Sequence, residues 1–330
     1  MSKNHAHGQY ARTIRPLLPA AAFKRRPALV GYFAIHLLVI AACIVGASQW
    51  PIWASALLAI VAGHSFACIA FFAHGLSHGA VLRRGKANFA MEVVAWGMNL
   101  IPATLWDEVH NHVHHTNTNM VTDPDRRWSK DEASIGPKIY THVLYPSAQT
   151  PRWNPLVFVQ FLGYIARNVI SALSGGHWGM LPASPSYTGR QRLRIAAELV
   201  AIAAMQVGIL WCLDWNVWKW LLLVMLGQAV ASGIVMAYVF TNHSLKPMQD
   251  ENDPLAASTS VAVPRVVDWL HLNFSYHTEH HLFPALDSRY MPELSAKLAE
   301  HFPAVYNRIP ITQAWRELWR VNPYVGAKAQ

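Results

Sequence analysis

Long apolar blocks alternate along the chain with short, strongly polar segments, and the blocks have the length of a bilayer crossing. Residues 28–47 contain no Asp, Glu, Lys or Arg, and neither do residues 52–73. Each supplies the roughly 20 apolar residues that cross about 30 Å of hydrocarbon. Only Ser48, Gln49, Trp50 and Pro51 separate them, so the pattern predicts an antiparallel helical hairpin with Trp50 and Trp53 at the membrane interface. Spans at about 195–213 and 218–241, turning around Asp214, Trp215 and Asn216, predict a second hairpin. Glu198 sits near the end of its first arm, within reach of the interface. Residues 155–173 are apolar too, but Gly163 and Arg167 interrupt them. Because a mid-bilayer arginine is unfavourable, that segment is expected to lie along the surface. The predicted fold is all-α and integral to the membrane. It has four transmembrane helices in two hairpins, a basic cytosolic segment at 1–27, and one membrane domain over 28–330 that carries a cytosolic helical cap.

Charge assigns the sides. The chain carries 27 Lys and Arg and a formal net charge of +9, yet Lys219 is the only basic residue at the two links. Such a bias marks the opposite face as cytoplasmic. The basic runs Lys24-Arg25-Arg26, Arg83-Arg84-Gly85-Lys86 and Arg190-Gln191-Arg192-Leu193-Arg194 each adjoin an apolar block. They read as topology and attraction to anionic lipid, with no role for nucleic acid. With 53% apolar and 14% charged residues, disorder and an ordinary soluble globule are both excluded. Cys43, Cys68 and Cys212 form no Cys-x-x-Cys pair, so no disulfide framework or zinc ribbon is encoded. The first apolar block is too long for a cleavable signal.

Histidine changes the picture. Among 18 histidines, three groups stand out in the polar segments: His74 and His78; His110, His112, His114 and His115; and His277, His280 and His281. Asn242-His243 adds a further candidate where the last span emerges on the same side. Helical spacing puts His74 beside His78, His110 beside His114, and His277 beside His280 and His281, each set aimed at one point. His114 and His115 diverge by about 100°, which suits neighbours serving two different metals. Single sites use three or four ligands, so eight or nine histidines point to two metals. Imidazole suits iron, copper, nickel and zinc alike. His112 and His271 adjoin the clusters and, with Asn242, Asp107, Asp123 and Glu279, are candidates to orient the ligands. Glu108 and Asp125 lie close by, and Trp106, Trp128 and Trp269 are read as headgroup anchors, with shaping of a tunnel mouth as the alternative. His36 and His64 fall inside spans, where polar packing is expected; His5, His7, His142, His177 and His301 are expected to face solvent or headgroups.

These motifs resemble the histidine boxes of the membrane fatty acid desaturase and hydroxylase superfamily. His110-Asn-x-x-x-His114-His115-Thr-Asn-Thr-Asn with Asp123-Pro124-Asp125 resembles the second box, and Glu279-His280-His281-Leu282-Phe283-Pro284 the third. The resemblance covers residues from about 50 to 290. It implies two iron ions held by His74, His78, His110, His114, His115, His277, His280 and His281, with His243 as a further ligand. It also implies O2 as co-substrate and a lipid acyl chain as the molecule oxidised. The third box opens with His277, as in acyl-lipid and acyl-chain desaturases. No His-Pro-Gly-Gly haem motif occurs in the chain, so electrons are expected from a separate donor, ferredoxin-like or cytochrome b5-like with its reductase. The leading expectation is a desaturase. Its rivals are a hydroxylase, alkane monooxygenase or ketolase of the same superfamily, and a histidine-based metal transporter, which would place ligands near the midplane of its spans.

Overall fold

The computed structural model of the protein describes residues 5–176 and 179–325. Five of its helices are long and apolar enough to cross a membrane: Leu29–Gln49, Ile52–Ser77, Pro155–Leu173, Gly189–Cys212 and Val217–His243. The first two form a hairpin. Trp50 ends one arm in an extended conformation, and Pro51, which has no N–H to continue the ladder, starts the next. In the second hairpin, Thr188 and Gln191 cap the incoming helix reciprocally. Its tight link is made by Asp214 and Trp215, both at positive φ. Lys219 Nζ donates to the Ser48 carbonyl across 2.9 Å, so both links lie at the same end of the bundle. The three histidine groups lie at the other.

The helix Ile52–Ser77 runs through the centre, packed against Leu29–Gln49 on one side and Leu226–His243 on the other. Small residues make the second contact possible. A Cβ on Gly63 would come within 2.6 Å of both the Gly227 carbonyl oxygen and Val230 Cβ, the close backbone approach expected where membrane helices pack through small side chains. Outward-facing Ile35, Leu38, Leu57, Ile60 and Val200 are exposed, as a lipid-facing surface requires.

Three features depart from expectation. The segment Pro155–Leu173 carries Arg167 on its inner face, where the guanidinium is buried between Tyr140 and Tyr164. The unfavourable exposure of that charge to lipid, which argued for a surface helix, therefore does not arise. The all-α expectation gains a short parallel strand pair, Ser260–Ala262 with Arg308–Pro310, in the register Ser260 to Arg308. Finally, the basic N-terminal segment is packed in place. Tyr10, Ile14, Leu18 and Ala22 are buried against Leu255, Leu282, Leu294 and Leu298, and the Tyr10 hydroxyl donates to Asp253 at 3.3 Å.

Candidate metal centre

The nine histidines form two groups. His74, His78, His110, His115 and His280 make one, and His114, His243, His277 and His281 the other; within each, ligand atoms lie within 4.8 Å of one another. The first box is the last turn of the helix Ile52–Ser77, so His74 and His78 share a face.

The second box departs from the expected spacing because Asp107–His114 is wound as a π-helix, with the His115 N–H reaching back to the His110 carbonyl. An extra residue per turn brings i and i+5 onto one face. His110 therefore pairs with His115, and His114 turns to the other group. Its predicted partnership with His110 is corrected, while the divergence of His114 and His115 is as expected. The third box also divides: His277 and His281, one α-turn apart, share a group, and His280 between them joins the other.

In the first group the Nε2 of His110 lies 2.9 Å from that of His74 and 3.2 Å from that of His115, which is 3.1 Å from His280 Nε2. In the second, His243 Nε2 lies 2.7 Å from His277 Nε2 and 3.3 Å from His114 Nε2, and His277 Nε2 is 3.0 Å from His281 Nε2. Two nitrogens each about 2.1 Å from one ion and 90° apart would be about 3.0 Å from each other, so these spacings fit nitrogens that share an ion.

Proton assignment strengthens that reading. His114 Nδ1 faces both oxygens of Asp123 at 3.1 Å, and His243 Nδ1 faces the Ala257 carbonyl at 3.2 Å. Thr118 spends its proton on the His114 carbonyl, so it accepts from His281 Nδ1 at 3.2 Å. Acceptors on Nδ1 require N–H there and leave three Nε2 lone pairs converging on a common point. Neutral lone pairs repel at such distances unless a cation lies between them. In the first group, His78 Nε2 is buried without any hydrogen-bond partner. Burial and mutual proximity hold His110, His115, His277, His280 and His281 well below the usual imidazole range, hence neutral and available to a metal. His114 alone is shifted up: burial opposes its charge, but the Asp123 carboxylate outweighs it. All-nitrogen donor sets of five and four fit two divalent transition metals of the iron-to-zinc type.

Of the residues expected to orient the ligands, Asp123 does so, and Asn242 lies at the site, fully buried with both amide atoms unpartnered. The other four sit elsewhere. His112 is half-exposed and faces Glu108 at 3.3 Å, turned outward by the same winding that turns its neighbours in. Asp107 accepts from Asn111 at 2.6 Å and Arg84 at 3.4 Å. Glu279 is buried on Ser260 and Tyr306, bolting the third box to its support. His271 receives Tyr238 at Nδ1, 2.8 Å away, and turns its Nε2 to His64 at 3.4 Å, with Cys68 beside them. Phe71 and Phe274 separate it from the box histidines.

Other expectations resolve similarly. Trp106 is no headgroup anchor: it is buried, stacked between Trp96 and His110. Trp128 is buried with Ala133 and Tyr324, whereas Trp269 is exposed. His36 packs on Ser65 at 3.2 Å, and His142 on the Tyr324 hydroxyl at 3.2 Å. His177 and the side chain of His5 lie outside the described residues. Sequence reasoning missed Thr118, although it stands inside the second motif, and Ala257, whose contribution is a carbonyl that no sequence pattern marks.

An apolar cavity opens onto both groups. Its volume is about 90 Å³. Phe71, Trp96, Phe161, Val235, Met236 and Phe240 form its walls, and His74, His110, His114, His243 and His277 one end. Comparison with curated proteins finds no match. The family model described as Fatty acid desaturase matches residues 48–312, the part of the chain that contains every histidine of both groups, and the chain belongs to that family.

Proposed function

We propose that this protein is an O2-dependent, di-iron membrane desaturase that introduces a carbon–carbon double bond into a lipid acyl chain. The observation that carries the reading is the pair of convergent Nε2 sets at one end of a largely apolar cavity. Iron bound there would supply O2 activation and the oxidation of C–H bonds that carry no acidic proton. The balance is a CH2–CH2 unit, O2, two electrons and two protons giving CH=CH and two waters. The electrons come from a separate one-electron carrier, ferredoxin-like or cytochrome b5-like.

The chain's own residues do the rest. Phe71, Phe161, Val235 and Met236 bind hydrocarbon and exclude water. Asp123, Thr118 and the Ala257 carbonyl fix ring orientation and keep the protons on the outer nitrogens. Trp106, stacked on His110 at 4.4 Å, limits the rotation of that ring.

The proposed topology has four spans in two hairpins, the links outside and the histidines on the cytoplasmic face. The one basic residue at the links, Lys219, supports it. A transporter would hold its ligands at mid-span, whereas all nine histidines lie in the last turns of the spans or beyond them.

Expression in a host lacking the corresponding olefins, with iron counted on the purified protein, tests the proposal. Two irons per chain and new acyl double bonds, both lost in His114→Ala, are expected. Hydroxylated product alone would overturn desaturation in favour of the hydroxylase reading, and zinc or copper uptake without lipid oxidation would favour transport.

A further inference from the structure

The cavity is not uniformly apolar. Among its lining residues, Arg167 is 2% exposed and its Nε and Nη1 have no hydrogen-bond partner. The guanidinium stands over the rings of Tyr140 at 5.3 Å and Tyr164 at 5.4 Å, which hold the plane in place by cation–π contact and leave its N–H edge free. Tyr164 donates to Asp125 Oδ2 at 3.3 Å, while Asp125 Oδ1 is buried and unpartnered. Asn242, 0% exposed, leaves both its amide oxygen and nitrogen unpaired beside His243.

Buried polar atoms without partners are unfavourable by about 1–3 kcal/mol each, and a cavity meant only for methylene groups would have no reason to collect them. A pure hydrocarbon would desolvate all of them and satisfy none. The unpartnered atoms include donors, on Arg167 and Asn242, and acceptors, on Asp125 and Asn242. Arg167 and Asp125 already balance in charge, so a second anion would enter against Asp125. A group that both accepts and donates, without net charge, completes the set.

We propose that the substrate carries an uncharged hydroxyl group, which seats against Arg167 and Asp125 inside the cavity. The oxidised carbons then lie close to that oxygen rather than midway along a plain acyl tail. This rests on the cavity being the substrate site of the oxidase proposed above, and it narrows the substrate class to oxygen-bearing hydrocarbons.

The test uses the full-length, metal-loaded protein in nanodiscs, with dodecan-1-ol, dodecanoate and dodecane as probes and affinities expressed per mole fraction in the bilayer. The expected result is that dodecan-1-ol binds about tenfold tighter than dodecane, the size of one hydrogen bond to a charged group. Dodecanoate should bind more weakly than the alcohol. In Arg167→Met the preference should fall to about twofold or less, with metal content unchanged; Arg167→Lys, which keeps the charge without the fork, should fall between. Equal binding of alcohol and alkane by the wild type overturns the proposal without any variant, as does tighter binding of dodecanoate or a preference that survives Arg167→Met with metal intact. Failure of the parent reading shows separately, as absence of any oxidised lipid from a wild type that retains the binding preference.

Discussion

Asp123 accepts from His114 Nδ1 with both carboxylate oxygens at 3.1 Å, and the same carboxylate takes the backbone N–H groups of Asn119 at 2.8 Å and Asp125 at 2.9 Å. Those hydrogen bonds and the facing imidazole stabilise its charged form despite complete burial, and hold the carboxyl below its usual range. One residue thus fixes both the ring and the loop that follows it. Asp123→Asn keeps the shape but presents a donor as readily as an acceptor. Metal affinity of the second group is expected to fall about 10–100-fold. Competition with a calibrated chelator, counting metal per chain, measures it; unchanged affinity would refute the role.

Thr118 makes a finer case. Its hydroxyl links the His114 carbonyl to His281 Nδ1, so Thr118→Val should release the ring tautomer and lower product formation by about tenfold or more. Thr118→Ser should restore it. A merely structural threonine would show the reverse preference, since valine preserves its shape.

Gly63 is a packing prediction. Because a Cβ there would meet backbone at 2.6 Å, Gly63→Leu is expected to force the two central helices apart. Destabilisation should be at least about 1–3 kcal/mol, read as a lowered Tm in detergent and as loss of bound metal at the end of the same helix. Gly31→Ala, with open space at its Cβ, is the matched control.

Glu92 gives a pH dependence. Burial, with Asp107 adding to it, raises its carboxyl from 4.5 to about 7, against the hydrogen bond from Asn88. The folded protein therefore holds this proton more tightly than the unfolded chain. The stabilising contribution is complete below about pH 4.5 and is lost as pH rises through 7. Tm should fall across that window, and Glu92→Gln should flatten the fall, being the more stable protein at pH 8 and about equal at pH 4.5. Parallel Tm curves would refute the assignment.

The cysteines test the topology. Cys43 and Cys68 are buried and Cys212 is exposed beside the second link. A membrane-impermeant maleimide added to intact cells should label Cys212, with Trp215→Cys as a second reporter nearer the turn. Protection of both in intact cells, followed by labelling after lysis, would invert the proposed orientation.

The helical hairpins were legible because uncharged blocks of about 20 residues admit few other readings. The histidine groups were legible as groups because imidazoles at one-turn spacing are rare by chance. Their division was not. An inserted π turn leaves the letters His110 to His115 unchanged while exchanging which of them share a face, and its cause lies in the surrounding packing. Arg167 was misread for a related reason. Sequence places it on an apolar segment, but Tyr140 and Asp125, which receive it together with Tyr164 of its own helix, come from other parts of the chain. Trp106 and Trp128 show that an aromatic beside a polar segment is ambiguous between interface and interior until its neighbours are known.

His280 completes one histidine group, and His277 with His281 the other, so neither is whole until translation has passed the last apolar block and most of the polypeptide has left the ribosome. Half-made chains hold four of the five imidazoles of one group and only His114 of the other. Under the proposed function, loading becomes a late event in biogenesis, and a truncated product lacks the complete centre with which it would oxidise the lipid around it.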